Sequence, residues 1–219
     1  MSKDKYNEVL EFATNHTENW FSGGKGLKDT RHYTSGNHGH LGFENFTEKI
    51  LWKAVEVYGL TDRVKINQDY IEDPTGRFDS QRMDHHVYID DKIVLVEENR
   101  AWTDKPFYMM KRAVVKLWME LPHVKSVLHD DVKFILSLLA KDYKDILVDT
   151  CDKVLGHGER MVDVNFSGRP RRKGIGYFDN GCDIEEVKKY VNIICQLFEK
   201  FDTTNKVEKE ILIEETELV

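Results

Sequence analysis

The stretch that decides the fold is RMDHHVYIDDKIVLVEENRAW, which runs from Arg82 to Trp102. Two runs within it, Arg82–Ile89 and Ile93–Arg100, are rich in β-branched and aromatic residues, a composition typical of strands. The polar residues Asp90-Asp91-Lys92 separate the two runs. The stretch therefore predicts two antiparallel strands joined by a tight turn.

The length of this turn decides which acidic side chains face each other. With a three-residue loop, Ile89 pairs with Ile93 and Asp84 lies opposite Glu98. Directly opposed residues share a face of the sheet, with Cβ atoms about 5 Å apart. With a two-residue loop, Asp84 lies opposite Glu97 instead. The apolar patterning favours the first register, and Glu97 stays open as the alternative.

Two carboxylates at this separation suit a divalent cation. Asp84 and Glu98 would repel each other unless a cation lay between them. Mg²⁺ takes oxygen ligands, keeps several waters and accepts substrate phosphates. Arg100 follows two residues later on the same face, where it would orient water or neutralise charge on a phosphate. In the other register, Asn99 takes this third position.

This arrangement resembles the PD-(D/E)xK nucleases, in which an acidic residue on one strand precedes an acidic and a basic residue two positions apart on the next. The run IVLVEENR is similar to the corresponding strand of the EcoRI-like type II restriction endonucleases. The resemblance covers about Phe43 to Ala140. The sequence departs from the pattern at Met83, which replaces the usual proline, and at Arg100, which replaces the usual lysine.

The resemblance implies a type II restriction endonuclease that uses Mg²⁺, or Mn²⁺ in its place, to cut double-stranded DNA. It implies a metal site made of Asp84, Glu98, the backbone carbonyl of Asn99 and Glu48, with Arg100 as the third catalytic residue beside Asp84 and Glu98. Glu44 is the less favoured choice for the acidic residue on the preceding helix. A homodimer is expected, because two sites related by a two-fold axis match the two strands of a palindrome.

The remaining pattern predicts a single α/β or α+β domain, with helices flanking a central mixed sheet as in the restriction-endonuclease-like fold. Residues 1–42 form an N-terminal helix and a basic Gly-rich arm, 43–201 the core and 202–219 a tail. The predicted helices are Tyr6–Phe21, Phe43–Tyr58, Lys105–Leu121, Tyr143–Leu155 and Ile184–Phe201, and the further strands are Val64–Tyr70, Val132–Ala140 and Met161–Phe166. The almost continuously apolar run VKFILSLLA predicts a strand covered on both faces.

Two basic segments are candidates for contacts with DNA. A long loop, Ser22–Leu41, is rich in glycine and cations, and such arms commonly enter a groove. A later cluster, RPRRK, concentrates four cations in five residues, which suits phosphate or guanine contacts. A solvated charge run is the competing interpretation of this cluster. The candidate residues are Lys25, Lys28, Arg31, Arg169, Arg171, Arg172 and Lys173.

The composition bounds the class of protein. The 219 residues carry a formal net charge of −7, so the chain has no overall positive charge that would indicate nucleic-acid binding. The three cysteines form no metal-binding pattern, and no apolar run approaches the roughly 18 residues of a membrane span. We therefore expect a soluble cytoplasmic protein that does not contact a membrane.

Two other functions compete with the restriction endonuclease. One is a repair, junction-resolving or phage-type nuclease of the same fold, which recognises DNA structure rather than sequence. The other is a non-catalytic domain that binds DNA or protein, in which the acidic pair is structural. In any of these, His85 and His86 are interpreted as strand residues, one partly buried and one near DNA or water.

Overall fold

The computed structural model describes residues 1–21, 39–74, 76, 81–100, 113–138, 160–166 and 183–202. The helices are α1 (Lys3–Phe21), α2 (Gly39–Val57), α3 (113–119), α4 (Pro122–Lys125) and α5 (Ile184–Glu199). The strands are β1 (Val64–Asn67), β2 (Tyr70–Ile71), β3 (Gln81–Arg82), β4 (His85–Ile89), β5 (Lys92–Arg100), β6 (Leu128–Leu138) and β7 (Met161–Asn165).

A five-stranded mixed sheet forms the centre of the described structure, in the order β1-β4-β5-β6-β7. β4 runs antiparallel to both of its neighbours, β1 and β5. β5, β6 and β7 run parallel to one another. Strands β2 and β3 pair separately in a two-stranded sheet. The predicted α/β architecture, a central mixed sheet flanked by helices, is confirmed at this level.

Apolar side chains cover both faces of the sheet. One face, called the α2 face below, packs against α2 and α5, on which α1 packs in turn, and it includes Leu95 and Ile135. The opposite face, called the α3 face, packs against α3 and includes Val96 and Leu136. Because β6 contributes to both cores, the prediction that this strand is covered on both sides is confirmed. No helix of the described residues is long and apolar enough to cross a membrane.

The hairpin between β4 and β5 has a shorter turn than the sequence analysis predicted. Asp90 and Asp91 have φ angles of 49° and 64°, and Ile89 pairs with Lys92. Left-handed backbone at both central residues makes a two-residue turn whose twist matches that of the flanking strands. The predicted three-residue loop and the predicted pairing of Ile89 with Ile93 are therefore wrong.

An irregularity further along the hairpin restores the register that matters for the acidic residues. A β-bulge next to Val87 shifts the pairing by one residue, so that His85 pairs with Glu97. Continued by one residue, this register sets Asp84 opposite Glu98. The same opposition was predicted from the sequence, but from a longer turn rather than from a bulge.

Several predicted boundaries also need correction. Helix α2 begins at Gly39, so the predicted loop Ser22–Leu41 is too long at its carboxyl end. The predicted strand Arg82–Ile89 is divided into β3 and β4. The predicted helix Tyr143–Leu155 lies outside the described residues, as do the first part of Lys105–Leu121 and the tail beyond residue 202.

Helix α5 covers the α2 face of the sheet and has a defined start. The side chain of Asp183 accepts a hydrogen bond from the backbone N–H of Glu185 at 3.1 Å, which satisfies one of the free donors of the first turn. Val187, Tyr190 and Ile194 are fully buried at helical spacing. This packing brings the Tyr190 hydroxyl to the end of β5.

The backbone of the turn suggests a stabilising substitution. Asp91→Gly should raise the free energy of unfolding by up to about 1 kcal/mol, because glycine has no steric penalty at positive φ. The substitution removes an ion pair with Lys65 (3.0 Å), but this exposed pair contributes little. Chemical denaturation measures the change, and Asp91→Ala, which should lower stability, is the control. A glycine variant less stable than the natural protein would contradict the assigned turn.

Candidate functional site

Asp84 lies in the short break between β3 and β4 and is 9% exposed. Its Oδ2 accepts a hydrogen bond from the backbone N–H of Asn99 at 2.6 Å. The peptide that donates this bond joins Glu98 to Asn99. The contact therefore brings the Asp84 carboxylate to the backbone that follows Glu98. The side chain of Glu98 has no exposed surface.

Successive side chains at the end of β5 point to opposite faces of the sheet, as a strand requires. Glu97 contacts Tyr190 of α5, and Asn99 contacts Thr47 of α2, so both lie on the α2 face. By alternation, Glu98 lies on the α3 face, next to the buried side chains of that core. The two neighbouring glutamates thus occupy different environments.

The Glu97 carboxylate is bound on the α2 face by three side chains from three elements. Oε1 accepts a hydrogen bond from the Ser137 hydroxyl at 2.6 Å. Oε2 accepts one from the Tyr190 hydroxyl at 3.1 Å and lies 3.0 Å from Nδ1 of His85. Both oxygens of the Glu97 carboxylate therefore contact donors within the protein.

His85 is the ionic partner of Glu97. Burial lowers the pKa of His85, but the hydrogen bond and charge of Glu97, with the charges of Asp84 and Glu48, outweigh burial and raise the pKa. The charged form of His85 is therefore favoured relative to that of a free histidine, and Nδ1 of His85 lies 3.0 Å from the Glu97 carboxylate. Burial, followed by the nearby Glu97 charge, also raises the pKa of Tyr190 well above its ordinary value, so its hydroxyl stays a donor.

His86 lies on the α3 face and is also buried. Its ring stacks on that of Tyr88, with the two centroids 6.4 Å apart. It lies edge-on to the ring of Trp118, with centroids 5.8 Å apart. Neither ring nitrogen of His86 has a hydrogen-bond partner among the described residues. Burial lowers its pKa to about 4, so the ring is neutral. The expectation that one of the two histidines is near water is wrong, because both are 1% exposed.

The predicted helix glutamates lie on α2. Glu48 accepts a hydrogen bond from the Trp52 indole at 3.3 Å, and its charge acts on His85 of the α2 face. Glu44 is buried nearer the start of the same helix. The structure thus places Glu48 on the face of the sheet opposite to Glu98, and it does not bring these two predicted ligands together.

The remaining predicted site residues are described incompletely or not at all. Arg100 is the last residue of β5, and its side chain lies outside the described part. The predicted DNA-contacting residues Lys25, Lys28, Arg31, Arg169, Arg171, Arg172 and Lys173 all lie outside the described residues. Within the described ranges, no group of three or more His, Cys, Asp or Glu side chains is arranged to hold a metal ion.

The polar side chains that surround the end of β5 were not predicted from the sequence as part of a site. They are Thr47, His85, Ser137 and Tyr190. A signal existed for His85, which the favoured register places opposite Glu97. The other three come from α2, β6 and α5, and no local pattern connects them to the hairpin.

Comparison with protein-family models, with curated proteins and with solved structures finds no match to this chain. Membership of the PD-(D/E)xK nucleases therefore stays a prediction that rests on the residues of the hairpin.

Proposed function

We propose that this chain is a Mg²⁺-dependent nuclease that cuts double-stranded DNA, with the metal held by Asp84, Glu98 and the backbone carbonyl of Asn99. The observation that carries the proposal is the hydrogen bond from the Asn99 N–H to Asp84 Oδ2, together with the register of the hairpin. These features bring two acidic residues to one end of two adjacent strands. The resemblance of IVLVEENR to a nuclease strand supports the same conclusion.

The donor set fits Mg²⁺. Two carboxylates and a carbonyl are oxygen ligands, which this ion prefers, and Mg²⁺ usually binds through one or two carboxylates plus water and phosphate. The protein therefore does not need to supply a third acidic side chain to the metal. Mn²⁺ accepts the same ligands and should replace Mg²⁺.

The roles of the chain's own residues follow from their positions. When bound, Mg²⁺ would supply an activated water and stabilise charge on the scissile phosphate. The Asn99 N–H orients the Asp84 carboxylate, and Arg100 is proposed as the cation that faces the phosphate. Because Glu98 has no exposed surface, metal and phosphate can reach it only after a local rearrangement.

The finer proposal is a cytoplasmic type II restriction endonuclease with the restriction-endonuclease-like fold. It would act as a homodimer on a short palindromic site, since each two-fold-related subunit would then cut one strand. The basic arm and the RPRRK cluster are proposed to contact DNA, because each concentrates cations in an acidic chain.

A second candidate is a non-catalytic DNA-binding domain, and the burial of the acidic residues favours it. Glu97 and Glu98 are both fully buried, and Glu97 is bound by internal donors. In that case the carboxylates would stabilise the end of the sheet and would not meet a substrate.

A digest of a sequenced phage genome separates these functions. The purified chain is incubated with the DNA in Mg²⁺, in Mn²⁺ and in EDTA, and the products are resolved on a gel. We expect discrete bands with either metal and intact DNA in EDTA. Cleavage confined to branched or nicked DNA would indicate the structure-specific nuclease instead. If duplex, branched and nicked DNA all stay intact in Mg²⁺ and in Mn²⁺, the result would favour the non-catalytic domain.

A further inference from the structure

We propose that Thr47 and the side chain of Asn99 are positioning residues, which hold the backbone of Asn99 so that its N–H can orient Asp84 and its carbonyl can face the metal. This inference rests on the proposed function, because it assigns a role to residues around the proposed metal site. The role belongs to a contact between α2 and the end of β5 that the nuclease pattern itself does not contain.

The first link joins helix α2 to the Asn99 side chain. The Thr47 hydroxyl donates a hydrogen bond to Asn99 Oδ1 at 3.0 Å, and both residues are fully buried. The same amide has its Nδ2 at 3.4 Å from Nδ1 of His85. Because Nδ1 of His85 donates to Glu97, this approach is between two donors, and Thr47 is the residue that locates the Asn99 side chain.

The second link is the backbone of Asn99. Its N–H donates to Asp84 Oδ2 at 2.6 Å, and its carbonyl is the one proposed as a metal ligand. The hydrogen bond from Thr47 to the Asn99 side chain therefore ties to helix α2 the residue whose N–H orients one ligand and whose carbonyl is proposed as another. Hydrogen bonds from neighbouring residues to the ligands of a metal site tune the site, because they fix the orientation of the ligands.

The contact is not needed to satisfy Thr47 itself. The same hydroxyl lies 3.1 Å from the carbonyl of Glu44 and 3.5 Å from that of Phe43, within its own helix. A buried threonine of α1 uses this alternative: Thr17 donates to the Ala13 carbonyl at 2.5 Å. Thr47 has the same option, and because its one hydroxyl proton serves one acceptor at a time, a hydrogen bond to Asn99 replaces one within the helix.

The test measures divalent-ion affinity and not only cleavage. Mn²⁺ is titrated into the natural protein, Thr47→Val, Thr47→Ser and Thr17→Val, with bound ion followed by electron paramagnetic resonance. Thr47→Val should bind Mn²⁺ roughly tenfold more weakly, which is the loss typical of removing a residue that orients a metal ligand by a hydrogen bond. Thr47→Ser keeps the hydroxyl and should retain the natural affinity. Thr17→Val removes a matched buried hydroxyl that donates within its own helix, and it should also retain the natural affinity.

The outcomes separate the positioning role from the proposed function. A natural protein that binds no Mn²⁺ overturns the metal site, and the positioning role with it. A natural protein and a Thr47→Val variant with equal affinities overturn the positioning role alone, as does an equal loss in Thr17→Val. Thr47→Ala also lacks the hydroxyl and suits a helix, so it replaces Thr47→Val if that variant does not fold.

Discussion

Cleavage of duplex DNA by the proposed nuclease is expected to fall by at least about 10³-fold in Asp84→Ala, because loss of the proposed metal ligand removes several kcal/mol of transition-state stabilisation. Binding should respond differently. Without a metal, the Asp84 carboxylate opposes an approaching phosphate, so its removal should leave metal-free affinity unchanged or increase it. In the natural protein, Ca²⁺ should relieve this repulsion and strengthen binding without supporting cleavage. The measurement combines gel-shift affinity and cleavage rate on one duplex.

The matched control is Asp91→Asn, which removes a carboxylate from the exposed turn at the other end of the hairpin. Asparagine tolerates the left-handed backbone of that position, so both rate and affinity should stay unchanged. An Asp84→Ala variant that cuts at near the natural rate would refute the metal site. A folded variant that neither cuts nor binds DNA would make Asp84 a structural residue.

The sheet could be predicted because its strands carry their own patterns. The apolar run of β6 indicated a strand covered on both faces, and apolar side chains of the two cores do cover it. The hairpin could be located from its polar turn and flanking β-branched residues. Its register could not be derived in the same way, since a turn and a bulge can compensate each other. Asp84 and Glu98 came into opposition through that compensation.

The surroundings of the acidic residues could not be predicted, because they are set by tertiary packing. The pair Glu97-Glu98 is ambiguous in sequence, where either residue satisfies the spacing. The ambiguity is reduced only when Ser137 and Tyr190 reach one carboxylate from β6 and α5. Likewise, Glu48 has the right place in the chain order, but α2 packs on the face that Glu98 does not share.

The largest effect on stability is expected for Glu97→Gln. This substitution removes the charge of the buried ion pair with His85 and replaces an acceptor oxygen with a donor. Breaking one partner of a buried pair typically costs about 3–5 kcal/mol, because the other group is left buried without compensation. Chemical denaturation in EDTA should show this loss. Ser137→Ala, which removes only one donor to the same carboxylate, should cost about 1 kcal/mol.

The pH dependence of unfolding gives this prediction a second, independent readout. Because the pKa of His85 is raised in the folded protein, its contribution is fully present below the unfolded value and is lost as the pH rises through the raised pKa. Glu97→Gln should remove this decline of stability with rising pH. Glu97 is the main group that raises the pKa of His85 against the effect of burial, and the substitution removes its charge. Glu98→Gln leaves the three donors of Glu97 in place, so it should abolish cleavage yet keep the decline. A Glu97→Gln variant that is as stable as the natural protein but inactive would reverse the assignment and make Glu97 the metal ligand.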